Sequence, residues 1–220
     1  MKYLILFLSI FYSININSQI NNIAERLGYD KNAKLLIIHA DDIGIAHSIN
    51  IASFDAYKNN AINSGAAMIP SPWIKEVAEF HKEYPKYDIG IHLTLTAEWK
   101  NYKWGGISSS DEIPSLLNEY NEFYDNTSDV NINANPEEVR KELQAQIDYA
   151  RSLGINPSHI DSHMGAIAVN NDLWRVFIEV GHKNKLVSMA WKSRILNLFD
   201  EDFPVPDYIV PVNDIYMLYP

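Results

Sequence analysis

Apolar and polar positions alternate in blocks along this chain, and the blocks predict strands and helices in turn. Residues 34–40 form a nearly continuous apolar run, the pattern of a strand buried on both faces. Residues 48–60 read as a helix, and residues 61–69 as a second strand closed by Pro70 and Pro72. Residues 73–84 predict the next helix, with Ile74, Val77, Ala78 and His81 on one face, and residues 89–95 a third strand. The best-marked helix has Asn135 as N-cap, Pro136 at its first position, and Glu137 and Glu138 in its first turn. Val139, Leu143 and Ile147 then recur at four-residue spacing before Gly154 stops it. Residues 159–164 predict a fourth strand, 173–180 a helix ending at Gly181, and 186–191 a fifth strand. Between the third strand and the Asn135 helix, residues 96–133 are irregular and rich in Ser, Asn, Gly and Tyr. A loop of that length inside a domain is usually functional or disordered.

Strand–helix alternation implies a mostly parallel sheet with right-handed crossovers, an α/β fold either open or closed into a barrel. In both forms the carboxyl ends of the strands gather on one rim, where such folds place their sites. Polar runs stand at those ends: His39-Ala40-Asp41-Asp42-Ile43-Gly44, then His92 after Asp88-Ile89-Gly90-Ile91, then His159-Ile160-Asp161-Ser162-His163-Met164. Carboxylates and imidazoles are costly to bury unpaired, and metal ligation accounts for their recurrence most economically. In an extended segment His159, Asp161 and His163 point to one face. Asp161 reads as the acceptor that orients a ligand imidazole, with a turn residue as its alternative. The adjacent Asp pair suits a division of labour in which one carboxylate holds a cation and the other takes a proton from water; a helix cap is the bland alternative.

Composition narrows the classes. The chain has no Cys, so disulfides, thiolate catalysis and Cys-ligated zinc are excluded and any metal sits on N and O donors. Its 18 basic and 28 acidic residues give a net charge of −10 with no basic stripe, which argues against nucleic acid as a partner. Lys2 followed by a short apolar run and polar residues reads as a signal peptide over residues 1–18, leaving one domain over 19–220 that acts in a secreted or periplasmic location. The apolar run is too short for a stable membrane anchor.

Taken together, His39-Ala40-Asp41-Asp42-Ile43-Gly44, Gly90-Ile91-His92-Leu93-Thr94-Leu95-Thr96 and His159-Ile160-Asp161-Ser162-His163 resemble the YdjC-like carbohydrate deacetylases, over residues 34–164. The resemblance implies a distorted (β/α) barrel and a divalent cation, usually described as Mg²⁺, with Zn²⁺ also suited to two imidazoles. It implies Asp42, His92 and His163 as ligands and Asp41 as general base. Two departures stand out: Met164-Gly165-Ala166 follows the last motif where members often carry more His, and the chain stops at Pro220, short of the closing strands and a late His expected as acid. A barrel that is incomplete or truncated is therefore expected, with His159 the first acid candidate within the chain.

The implied activity is hydrolysis of acetyl groups from an N-acetylated saccharide. A metal-dependent phosphoesterase and an inactive carbohydrate-binding remnant are the competing readings. Trp99 and Trp104 follow the His92 strand closely, and two roles stand open for them: stacking on sugar rings over the site, or packing the loop onto the fold.

Overall fold

The computed structural model describes residues 23–190, and the proposed leader and the segment after Ala190 lie outside them. The chain divides into two compact units, residues 1–35 and 36–220. Of the first, the described part is a short helix α1 (Ile23–Arg26) and the turns that follow, where Asp30 Oδ1 accepts from the Asn32 amide.

Among its described residues, the second unit is a parallel five-stranded sheet in the order β1-β2-β3-β4-β5. The strands are β1 (His39–Ile43), β2 (Ser64–Ala67), β3 (Gly90–Leu93), β4 (His159–Ser162) and β5 (Val187–Ser188). They alternate with α2 (His47–Lys58), α3 (Ile74–Glu83), α4 (Thr127–Asn133), α5 (Pro136–Ser152) and α6 (Asn171–Asn184). An order without reversal is that of consecutive β-α units, whose connecting helices fall on one face of the sheet when every crossover has the usual right hand. This is the expected α/β fold, with shorter strands than the apolar runs suggested. No helix among the described residues is long and apolar enough to cross a membrane.

The caps behave as their chemistry predicts. Asn135 Oδ1 accepts from the Glu137 amide at 2.8 Å with Pro136 at the first helical position, and Asn170 Oδ1 accepts from the Leu173 amide at 3.0 Å. Val139, Leu143 and Ile147 of α5 are buried together with Leu173 and Phe177 of α6 and Ile91 and Ile160 of the sheet. Each such side chain contributes about 1.5–3 kcal/mol through removal from water.

Three expectations need correction. The apolar run before β1 is not buried on both faces: the strand begins only at His39, and Leu36 and Ile37 are 63% and 72% exposed. Among the described residues β1 is a sheet edge, paired with β2 alone, so nothing on that side removes the run from water. The Asn63 side chain bonds it from the other side, accepting from the Ile38 amide and donating to the Leu36 carbonyl. Gly181 does not end a helix. It lies inside α6, where a Cβ would collide with Ser188 Oγ and stand 2.9 Å from Ile160 Cδ1, so glycine there lets the helix sit close on β4 and β5; Lys185, in the left-handed conformation, ends α6. The fourth strand stops at Ser162, and His163 opens a 3-10 segment, His163–Val169, whose Met164 and Gly165 both have positive φ.

The long connection after β3 is ordered. The backbone of Ala97 donates to Tyr124 and that of Phe123 to Trp104. Ile113, Leu116 and Phe123 are buried, and the buried Glu142 carboxylate of α5 accepts from the Ile107 and Ser108 amides at 2.9 Å each. Burial pushes the Glu142 carboxyl up, against the lowering effect of those amides.

Candidate metal centre

Strand register assembles the site. His92 pairs with Asp161 across β3 and β4, which lets His92 Nδ1 donate to Asp161 Oδ1 at 2.6 Å. With Nδ1 committed as donor, Nε2 presents its lone pair. It stands 3.4 Å from Asp42 Oδ1, and His163 Nδ1 stands 3.1 Å from the same oxygen. His163 is held in the same fashion from its far side, where Nε2 contacts both Glu98 oxygens at 3.1 Å.

Adjacent Asp residues in a regular strand would point to opposite faces. A register shift in β1 between Ala40 and Ile43 and a left-handed Asp42, φ 60°, break that alternation and bring both carboxylates into the cluster. Such bulges re-aim side chains beside functional sites, and Asp tolerates the left-handed region better than most residues do. Asp41 Oδ1 lies 3.3 Å from His39 Nε2, which is also 3.3 Å from Asp161 Oδ2.

The donor set fits a divalent cation. Asp42, His92 and His163 each offer one ligand atom within 4.8 Å of one another, and the buried Asp42 Oδ1 has no hydrogen bond of good geometry although two imidazole nitrogens face it. A buried carboxylate oxygen faced by two imidazole nitrogens and bonded to neither is an environment that a cation would satisfy.

Charge and burial compete throughout the cluster. Burial raises Asp42 and Glu98, yet the His163 imidazole outweighs it and holds both below the usual carboxylate range. Burial lowers His163, but the Asp42 and Glu98 carboxylates push it up to about 9. Burial likewise opposes the charged forms of Asp161 and His92, and their mutual attraction wins in both, holding the carboxyl down and the imidazole up. Asp41 differs: burial pushes it above its ordinary value, outweighing the attraction of His92 and His39. A carboxylate with raised proton affinity is suited to take a proton.

The structure brings Asp41, Asp42, His92, His163 and Asp161 together, as the sequence motifs anticipate. His159 is placed elsewhere. It opens β4, its Nδ1 contacts Ser158 Oγ at 2.7 Å, and its ring lies over Gly90, where a Cβ would stand 2.4 Å from Nε2. The strand alternation puts it beside His39 on the face of Asp161, two residues nearer the amino end, and burial lowers its proton affinity. Its neighbours are therefore not those of a proton donor at the Asp42 cluster. Trp104 is 5% exposed and donates its indole N–H to the Thr96 carbonyl at 2.9 Å, so it packs the loop and has no open face for a sugar. Trp99 is 42% exposed and tilts against Tyr102, with ring centroids 5.8 Å apart.

Glu98 escaped the motif reading, and the signal for it is an alternation. His92, Thr94, Thr96 and Glu98 fall on every second position of an extended run, with apolar Leu93, Leu95 and Ala97 between them.

Fold and cluster together define a parallel α/β protein with an N,O-donor metal site candidate at the carboxyl rim of its sheet. Comparison with known proteins makes the class specific. The model of the family described as YdjC-like protein matches residues 35–203, and the chain belongs to that family. It is 31% identical to a carbohydrate deacetylase of Thermus thermophilus over 172 residues, 78% of this chain and 59% of the relative. Against a carbohydrate deacetylase of Enterococcus faecalis it is 33% identical over 154 residues, 70% of this chain and 57% of the relative. The chain thus spans less than two thirds of the length of these relatives. A solved structure from E. faecalis, described as a candidate cellobiose-phosphate cleavage protein, superimposes with a TM-score of 0.66 at 29% identity, over 78% of this chain and 66% of that one.

Proposed function

We propose that this chain is a metal-dependent carbohydrate deacetylase that hydrolyses the acetyl group of an N-acetylated saccharide. The observation that carries the reading is the convergence of Asp42 Oδ1, His92 Nε2 and His163 Nδ1 on one point, with Asp41 next to them and outside that donor set. The names of the relatives, carbohydrate deacetylases, support removal of an acetyl group from a carbohydrate. In this reading Asp42, His92 and His163 would hold a divalent cation, which would supply polarisation of an acetyl carbonyl and a lowered pKa for water.

The chain's own residues do the rest. Asp161 and Glu98 take the far N–H of the two imidazoles, which fixes their tautomers and turns their lone pairs to the site. Asp41 receives the proton of the attacking water, and its raised proton affinity serves that step. Trp99, exposed on the loop that leaves β3, offers an apolar face to a sugar ring. The crowding of Asp41, Asp42, Asp161 and Glu98 favours a neutral amide over a phosphate group, whose charge these carboxylates would repel.

Acetate release from N-acetylglucosamine oligomers, set against phosphate release from a sugar phosphate, tests the reaction. Asp41→Asn is expected to keep cation affinity and lose about 10²–10⁴-fold in turnover, the range for removal of a general base. Equal loss of cation affinity in Asp41→Asn would reverse the roles of the two Asp residues.

A further inference from the structure

Asp41 is half exposed, and among the described residues the polar tether of its carboxylate is His39. That imidazole is itself held from every side. His39 opens β1 in register with Ser64 of β2. Ser64 Oγ donates its single proton to Asp88 Oδ2 at 2.6 Å, so toward His39 Nδ1, 2.9 Å away, it can only accept. Nδ1 is therefore the donor, and the ring cannot turn without breaking that bond. The ring of His159 meets it edge-on at 5.2 Å and closes another side. The remaining nitrogen, Nε2, is buried and lies 3.3 Å from both Asp41 Oδ1 and Asp161 Oδ2, aligned for a hydrogen bond with neither; between the two carboxylates the ring acts as an ion-pair partner when it carries its second proton.

We propose that His39 is a positioning residue: it bridges Asp41 to Asp161 and so holds Asp41 in register with the cation donors. The inference rests on the deacetylase reading and deepens it. Asp161 uses its other oxygen for His92 Nδ1, so Asp41, His39, Asp161 and His92 form one chain from the proposed base to a proposed ligand. A rim carboxylate without such a tether samples several χ1 wells, and misplacement of a reacting group by about 1 Å can cost on the order of 10²-fold in rate. His39 touches neither substrate nor cation in this account; it acts through Asp41.

Two substitutions in the full 220-residue chain separate positioning from packing. His39→Leu keeps bulk and removes the donor, whereas the side-chain amide of His39→Gln reaches the place of Nε2. With N-acetylglucosamine oligomers as substrate, His39→Leu is expected to lose about tenfold or more in kcat, with KM and Zn²⁺ affinity each within about twofold of wild type. His39→Gln is expected to retain kcat within about threefold. Wild-type kcat in His39→Leu, equal losses in the two variants, or a parallel loss of Zn²⁺ affinity would each overturn the proposal. Crystal structures of both variants supply a readout independent of turnover: one Asp41 rotamer in His39→Gln and several in His39→Leu. A wild-type protein that releases no acetate would sink the deacetylase reading, and the rotamers would still decide the role of His39.

Discussion

The two histidines that face Asp42 are held by carboxylates of different origin. Asp161 reaches His92 across the sheet, strand to strand, in a register that leaves both side chains less than a tenth exposed. Glu98 reaches His163 from the loop after β3 and keeps about a fifth of its side chain in water. One chemical device is thus built twice, once by hydrogen-bonded register and once by a connection. The comparison teaches that the loop of residues 94–126 belongs to the site as much as the strands do, because it has a core of its own in Trp104, Ile113, Leu116 and Phe123.

Removing an anchor of that loop is the strongest way to break the parallel. Trp104→Ala is expected to destabilise the protein by about 3–5 kcal/mol, the cost of emptying a buried aromatic site. Trp99→Ala is expected to leave melting almost unchanged and to raise KM for saccharide several-fold. A Trp104→Ala variant that melts like wild type would mean that the loop is not part of the folded core.

Proton linkage sharpens the comparison on the loop side. With no cation present, the contacts with Asp42 and Glu98 raise His163 from 6.5 to about 9. Below pH 6.5 the imidazole is protonated in folded and unfolded chains alike and the contact acts at full strength. Between 6.5 and about 9 the folded form binds more protons, so stability falls as pH rises, by on the order of 3 kcal/mol at most. Asp42 and Glu98 have lowered values, so their share of the same contacts is lost in the opposite direction, as pH falls below about 4. Denaturant unfolding of chelator-treated protein across about pH 6–9.5 checks this, and saturating Zn²⁺ should abolish the alkaline loss. A flat cation-free profile over that window would contradict the assigned contacts.

The carboxylates themselves give the smallest and most direct contrast. Asp161→Asn is expected to weaken cation binding by about 10–100-fold, the usual range for partners that orient a ligand. Glu98→Gln, replacing a more exposed acceptor, is expected to cost several-fold. Zn²⁺ titration of the two variants ranks them, and a larger loss in Glu98→Gln would make the loop the dominant support.

The same division explains what the sequence disclosed. The alternation of apolar runs, the cap at Asn135 and the three polar motifs at strand ends were legible because period and cap chemistry are local properties. The pairing of Asp161 with an imidazole was legible for the same reason, since both stand at ends of buried strands. The left-handed Asp42 that brings two adjacent carboxylates to one site was not, because a bulge depends on the partner strand. Gly181 reads locally as a stop, yet its use is a close approach between α6 and the sheet. Trp99 and Trp104 look alike in sequence, and only the packing of the loop separates the buried ring from the exposed one.

The central claim is that Asp42, His92 and His163 hold one divalent cation. Isothermal titration of chelator-stripped protein with Zn²⁺, on wild type and on His92→Ala and His163→Ala, tests it most directly. The account predicts one ion per chain for wild type and a loss of affinity of about 100-fold or more in each variant, because each removes a ligand rather than its support. Wild-type affinity in either variant would contradict it.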